Sequence, residues 1–268
     1  MSNRLITLTT DFGTSDHFVG AMKGVIAGIA PAARVVDITH EITPYNTLEG
    51  AFVIAQAAPY FPKGTIHLVV VDPGVGSERR AILAEAGGQF FLAPDNGVLS
   101  MIFARGSHKV RTVSNPKLAL KNVSRTFHGR DIFAPAAAHL ARGVKPAEFG
   151  KPIRDYVHIE AVEAREIAPN AWSGTILKTD RFGNLITNLH IDEFFAIKTN
   201  PFVVKVGGAQ IRRLALTFAD TEAGELAVVV GSSGYLEIVA NQASAARESG
   251  CGAGAPVEIE IDAPSAGG

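Results

Sequence analysis

Residues 66–80 join a run with no polar alternation to an abrupt stop. Ile66-His67-Leu68-Val69-Val70-Val71 has the pattern of a strand covered on both faces of its sheet. Asp72-Pro73-Gly74-Val75-Gly76 follows directly. Proline cannot donate to a ladder and glycine permits positive φ, so the strand must end there in a tight loop. Asp72 is thereby placed at the carboxyl end of a central strand, the edge where open α/β sheets bind ligands.

The residues before and after this strand extend the same architecture. Residues 5–10 read as a first strand ending in Asp11-Phe12-Gly13, again an acid and then a glycine turn. Apolar residues from Phe18 to Ile29 recur at helical spacing, and Val35 to Ile38 form a second strand. Asn46 or Thr47 can cap a helix that runs to Tyr60 and ends before Pro62. Residues 81–84 and 89–93 read as a hairpin around Gly87-Gly88, with a short helix over 98–104 and an Ala-rich one over 132–142. The expectation for residues 1–165 is an α/β domain with a largely parallel central sheet.

Beyond 165 the texture changes. Residues 173–178, 185–190, 202–206, 226–230, 235–239 and 257–261 are evenly spaced short strand candidates separated by Gly and Asn turns. That pattern predicts a small all-β domain over 166–268, a barrel or a sandwich. Residues 249–255 read as a loop, and 263–268 as a frayed tail.

Composition narrows the classes. A hydrophobic content of 47% with 19% charged residues suits a globular protein with a sizeable core. The net charge of −1 points to neither a nucleic-acid nor an anionic-membrane partner. One cysteine, Cys251, allows no intramolecular disulfide and no thiolate metal cluster. No leader-like segment opens the chain, and no apolar run approaches the roughly 18 residues that span a bilayer. The expected setting is the cytoplasm.

Several polar clusters carry candidate chemistry. Asp11 and Asp72 end strands that would open on one sheet edge, where an ionised carboxylate accepts two ribose hydroxyls at once. Each could instead cap a helix or tie down its own turn. His128-Gly129-Arg130-Asp131 stands at a helix start, where core packing explains a histidine poorly; the plain alternative is a cap in which Asp131 is the working residue. Arg79 and Arg80 follow the glycine loop, and either could be merely solvated. In the second domain Asp180-Arg181-Phe182-Gly183-Asn184 is a turn by composition, yet an aromatic and a primary amide within it can stack on and hydrogen-bond a heterocycle. Gly231 to Glu237 is a second such turn. There is no G-x-x-x-x-G-K-S/T, no complete dinucleotide fingerprint, no H-E-x-x-H and no G-x-S-x-G. Asp11, Asp16, Asp72, His128 and Asp131 could form an oxygen-rich metal site, but their spacing matches no metal motif.

Five stretches together resemble a known family. They are T-T-D-F-G at 9–13, V-D-P-G-V-G at 71–76, A-P-D-N-G at 93–97, F-H-G-R-D at 127–131 and D-R-F-G-N-L-I-T-N at 180–188. In this order they resemble the S-adenosyl-L-methionine (SAM) hydroxide adenosyltransferases, hydrolytic relatives of the SAM-dependent fluorinase and chlorinase, from about residue 5 to about 262. The resemblance implies an N-terminal α/β domain, a C-terminal β-barrel, and a homotrimer in which SAM lies between the first domain of one subunit and the second domain of the next. It implies hydrolysis of SAM to adenosine and L-methionine, with SAM as substrate and no cofactor or metal. By motif it assigns the catalytic set to Asp72, Arg79 and His128, which selects Arg79 over Arg80, and a ribose contact to Asp11. It assigns further substrate contacts to Asp180, Phe182 and Asn184, and to Ser232 and Glu237 in a later loop. The family's halogenases carry an extra loop before A-P-D-N-G. Here a short hairpin separates Arg79 from Ala93, and His128 stands where their halide pocket would be, which favours water as nucleophile. A halide-dependent adenosyltransferase, a non-catalytic adenosine-binding module and a metal-dependent phosphoesterase remain as alternatives.

Overall fold

The computed structural model describes residues 5–160 and 163–262, and the chain divides between Ile159 and Glu160 into two compact units. The expected tail over 263–268 lies outside the described residues.

The first unit contains β1 (Leu5–Thr10), α1 (Phe18–Ile29), β2 (Arg34–Thr39), α2 (Thr47–Ala57), β3 (Ile66–Val70), β4 (Ala81–Ala86), β5 (Gln89–Pro94), α3 (Ser100–Phe103), β6 (His108–Thr112), α4 (Ala134–Ala141) and β7 (Pro152–Ile153). The sheet order is β2-β1-β3-β5-β4-β6-β7. Every residue of β3 is buried, as an unalternating apolar run requires. On one face lie α1, which buries Val19, Met22 and Ile26 at helical spacing, and the Ala-rich α4, whose small side chains let it pack close to α1. Asn46 caps α2, its side-chain oxygen accepting from the Glu49 amide at 3.0 Å.

The sheet is mixed, which corrects the expectation of a largely parallel one. Only the β1–β2, β1–β3 and β3–β5 pairs are parallel; β4–β5, β4–β6 and β6–β7 are antiparallel. The reason is local. The two-residue Gly87-Gly88 connection is too short for a crossover, so β4 must return antiparallel to β5, and β6 then adds to the free edge of β4. The parallel half holds the candidate edge: in the register Thr10↔Val70, β1 and β3 release Asp11 and Asp72 at the same side.

His67, in the middle of β3, is fully buried. Its Nδ1 lies 2.7 Å from Thr7 Oγ1, and its ring stacks on Phe91 at 4.8 Å with Phe61 edge-on at 5.6 Å. Burial among these rings pushes its pKa down to about 4 from 6.5. The unfolded chain then binds a proton between pH 6.5 and 4 that the native chain refuses. This share of stability is complete above pH 6.5 and is lost as pH falls toward 4. The loss is on the order of 3 kcal/mol. Urea unfolding of wild type and His67→Leu across that range checks it; equal acid slopes in the two proteins would contradict it.

The second unit contains β8 (Arg165–Ala168), β9 (Ala171–Thr179), β10 (Leu185–His190), β11 (Phe202–Val206), β12 (Ala209–Ile211), β13 (Leu226–Val230), β14 (Tyr235–Ala240), α5 (Ala245–Ser249) and β15 (Pro256–Ile261). The strands pair in the order β12-β11-β15-β9-β10-β14-β13, with β8 added on β9. The chain after β12 reaches β13, where the Ala215 amide donates to the Val228 carbonyl at 2.8 Å and the Val228 amide to the Arg213 carbonyl at 2.9 Å. The sheet is thus nearly barrel-shaped around Ile176, Leu189, Val204, Ile238 and Ile259.

Candidate active site

Asp72 leaves β3 and enters an exposed loop through Pro73, Val75, Gly76, Ser77 and Glu78. The loop turns back because the Val75 amide bonds the Asp72 carbonyl and the Ser77 hydroxyl bonds the Gly74 carbonyl at 2.7 Å. Gly76 has φ of +79°, and a Cβ there would run into the Arg125 carbonyl oxygen, so only glycine lets this loop rest on the segment before His128. The return brings Arg79 onto Asp72: Nε donates to Oδ1 at 2.9 Å and a terminal nitrogen to Oδ2 at 2.5 Å. This is a bidentate pair with side chains only 9% and 5% exposed. The same terminal nitrogen lies 2.7 Å from His128 Nδ1, and the guanidinium sits 5.4 Å from the centre of the Phe133 ring.

Because arginine only donates, His128 Nδ1 must be the acceptor, and the ring in this arrangement is neutral with its proton on Nε2. Burial lowers the His128 pKa first, and the Arg79 cation lowers it further, against the opposing charges of Asp72 and Asp131. Arg79's other terminal nitrogen has no protein acceptor among the described residues.

His128 makes no capping hydrogen bond of its own. Asp131 does the tying: fully buried, it accepts from the Ser124 amide at 2.8 Å and from Arg130 Nε at 2.6 Å. Asp131 thus anchors the preceding segment rather than capping the helix, while His128 is turned toward Arg79. Arg80 points elsewhere, its Nε donating to Asp95 at 2.8 Å and its terminal nitrogens to Asp155.

Asp11, Asp72 and His128 line one cavity of ≈ 320 Å³ with Phe12, Phe18 and Phe127. Asp11 accepts from the Tyr45 amide at 2.9 Å, and burial raises its pKa, with Asp72 adding to the rise. The three phenylalanines pack edge-to-face or tilted, at 5.1–5.9 Å, into an apolar wall. Sequence reasoning did not single out this wall, although Phe12 and Phe127 flank two of the polar motifs.

In the second unit Asp180, Phe182, Asn184 and Glu237 line another cavity, of ≈ 570 Å³. Asp180 builds the turn there, accepting from the Phe182 amide at 2.8 Å, the Asn184 amide at 2.9 Å and the Asn184 side chain at 2.9 Å. Phe182 is left 79% exposed at the tip. Burial raises the Glu237 pKa, and the Asp180 charge raises it further. Phe218 and Gln242 also line this cavity and were not anticipated; a half-exposed aromatic in a polar loop is the one signal that marks Phe218. Ser232 lies exposed in the β13–β14 turn, apart from the residues that line the cavity. Among the described residues no group of three or more His, Cys, Asp or Glu is arranged to hold a metal ion, and no helix is long and apolar enough to cross a membrane.

The comparisons with known proteins agree with these motifs. The SAM hydroxide adenosyltransferase N-terminal domain family matches residues 6–150, and the corresponding C-terminal domain family matches 174–258. The chain belongs to the SAM hydroxide adenosyltransferase family. It is 37% identical over 245 residues to the (R)-S-adenosyl-L-methionine hydrolase of Salinispora tropica, covering 90% of this chain and 92% of that protein. The enzyme of the same name from Thermus thermophilus is 36% identical over 265 residues, covering 96% and 99%. A fluorinase from an Actinoplanes species is more distant, 28% identical with 96% and 97% covered. A crystal structure of a conserved protein from Thermotoga maritima superposes with a TM-score of 0.86 at 37% identity, covering 95% of this chain and 99% of that one.

Proposed function

We propose that the chain hydrolyses SAM to adenosine and L-methionine, by in-line attack of an activated water at the ribose C5′. The observation that carries this reading is Arg79 held between Asp72 and His128 beside a cavity that Asp11 also lines. A C5′–O bond forms while the C5′–S bond breaks. The bonding pair goes to the sulfonium, which leaves as a neutral thioether, so no general acid is needed. One water proton must depart. The fixed Arg79 cation stabilises hydroxide character, and a spare lone pair of the Asp72 carboxylate takes the departing proton while His128 helps to orient the water. Asp11 takes the ribose hydroxyls, and the phenylalanine wall limits competing solvent.

In this reading the first domain, 1–165, carries the catalytic set. The second, a β-barrel over 166–268, completes the site of a neighbouring subunit in a homotrimer through Asp180, Phe182, Asn184, Ser232 and Glu237. An aromatic as exposed as Phe182 on a cavity rim supports this, since it has a face free to stack. The reaction needs no cofactor, and the protein acts in the cytoplasm. The names borne by the relatives support the substrate.

Incubation with SAM in ¹⁸O-labelled water tests the reaction. Label in the adenosine 5′-hydroxyl and none in methionine is expected. A 5′-halogenated nucleoside formed only with chloride or fluoride would favour the halide reading, which the fluorinase relatives keep in view. Unaltered SAM would leave a binding module, and turnover abolished by EDTA a metal enzyme. Because His128 acts neutral and its pKa lies below 6.5, turnover should persist at pH 6.5, with its acid limb lower still. A kcat–pH profile already falling above that value would contradict the role.

A further inference from the structure

We propose that Asp95 and Asn96, in the turn after β5, are positioning residues that hold both ends of the loop carrying Asp72 and Arg79; the catalytic consequence rests on the hydrolase reading above. The loop is exposed over most of its length, yet the pair at its ends must stay aligned with His128. Three bonds from one turn supply the fixed frame. The Asn96 side-chain amide donates to the Val71 carbonyl at 2.9 Å, one residue before Asp72. Its oxygen accepts from the Val98 amide at 3.2 Å, so the side chain cannot swing away without losing both bonds. At the other end, the Asp95 amide donates to the Arg80 carbonyl at 2.9 Å, and the Asp95 carboxylate holds Arg80 Nε at 2.8 Å, one residue after Arg79.

The turn is itself well seated. Asp95 is buried, and its second oxygen accepts from the Val157 amide at 2.9 Å. Gly97 has φ of +89°, and a Cβ there would strike the Ile159 side chain, so residues 157–159 close over the turn only because it ends in glycine. The Ile159 amide also donates to Ser100 Oγ at 2.9 Å. The A-P-D-N-G stretch, which contributes no residue to the lining of either cavity described above, thus acts through the spacing of its neighbours' neighbours. A shift of about 1 Å in such a frame can cost about 100-fold in rate while substrate contacts survive.

The test uses full-length Asn96→Ala and Asp95→Asn, with Asp155→Ala as control because Asp155 touches only the exposed side of Arg80. Each variant is assayed for kcat and KM with SAM, for melting temperature, and for the titration midpoint of His128 by NMR of histidine-labelled protein, assigned with His128→Gln. The groups that set this midpoint are Arg79, Asp72, Asp131 and the Ser124 backbone. Both variants should lower kcat by about 10- to 100-fold with KM changed less than about threefold. Their His128 midpoint should rise as Arg79 loosens, while Asp155→Ala behaves as wild type. Wild-type kcat and His128 midpoint in both variants would overturn the proposal. So would loss of the native fold in both, or a kcat loss matched by the unfolded fraction. If wild type does not turn over SAM, the hydrolase reading fails, and the His128 midpoints alone still decide whether this turn positions Arg79.

Discussion

Replacing Arg79 with methionine should reduce SAM hydrolysis by about 10³-fold or more while SAM affinity changes by less than about tenfold. The asymmetry follows from where the guanidinium sits. It is engaged by Asp72 and His128, which line the cavity, and by the Phe133 ring, but does not itself line the cavity, so it contributes little to holding the ground state. In the proposed mechanism it stabilises the hydroxide character of the attacking oxygen, which the bound ground-state water lacks. Methionine keeps the length and the contact with Phe133 and removes the charge. Lysine keeps the charge but cannot offer Nε and a terminal nitrogen together to one carboxylate, so Arg79→Lys should recover only a small part of the loss. Removing the cation also lifts one of the two causes of His128's lowered pKa, so the His128 midpoint rises in Arg79→Met. Steady-state assays, calorimetric titration with SAM and histidine NMR check the three statements. A methionine variant retaining more than about a tenth of wild-type kcat would remove Arg79 from the mechanism.

Asp131→Ala should give the largest loss of stability among the residues around the site, about 2–4 kcal/mol. Asp131 is fully buried and accepts from both the Ser124 amide and Arg130. Alanine leaves that amide without its acceptor and Arg130 without its carboxylate. The Arg130 side chain is 37% exposed and can turn to water, which keeps the cost below that of stranding a buried charge. A melting temperature lower by roughly 5–15 °C is expected. Turnover should fall as well, because the tie to Ser124 shapes the segment that presents His128. Loss of the Asp131 charge also lowers the His128 pKa further, opposite in sign to the Arg79 effect. Asp131→Asn retains an acceptor for Ser124 and should lie between. An alanine variant melting within about 2 °C of wild type with unchanged kcat would refute this.

Much of the fold is legible in local pattern. β3 follows from its unalternating run, the ends of β1 and β3 from Asp-containing glycine turns, and the long strands of the second unit from their apolar spacing. Four short strands escape such reading. β6 (His-Lys-Val-Arg-Thr), β7 (Pro-Ile), β8 (Arg-Glu-Ile-Ala) and β12 (Ala-Gln-Ile) are too short or too polar to show a period, and they exist because a neighbouring strand offers them an open edge. The same edge logic makes the first sheet mixed.

By itself the sequence determined that a carboxylate would stand at the end of a buried strand, and that a second acid, a histidine and an aromatic turn would accompany it. Those features are written in contiguous residues, because strand burial and turn chemistry are local. Only the tertiary structure decided how neighbouring residues divide their work. Arg79 turns to Asp72 and His128 while Arg80 turns to Asp95 and Asp155. His128 receives a hydrogen bond that holds it neutral, and Asp131 ties down the segment at Ser124 that leads to it. Side-chain direction and ionisation depend on partners 7 to 75 residues away along the chain, and folding brings those partners within hydrogen-bond reach.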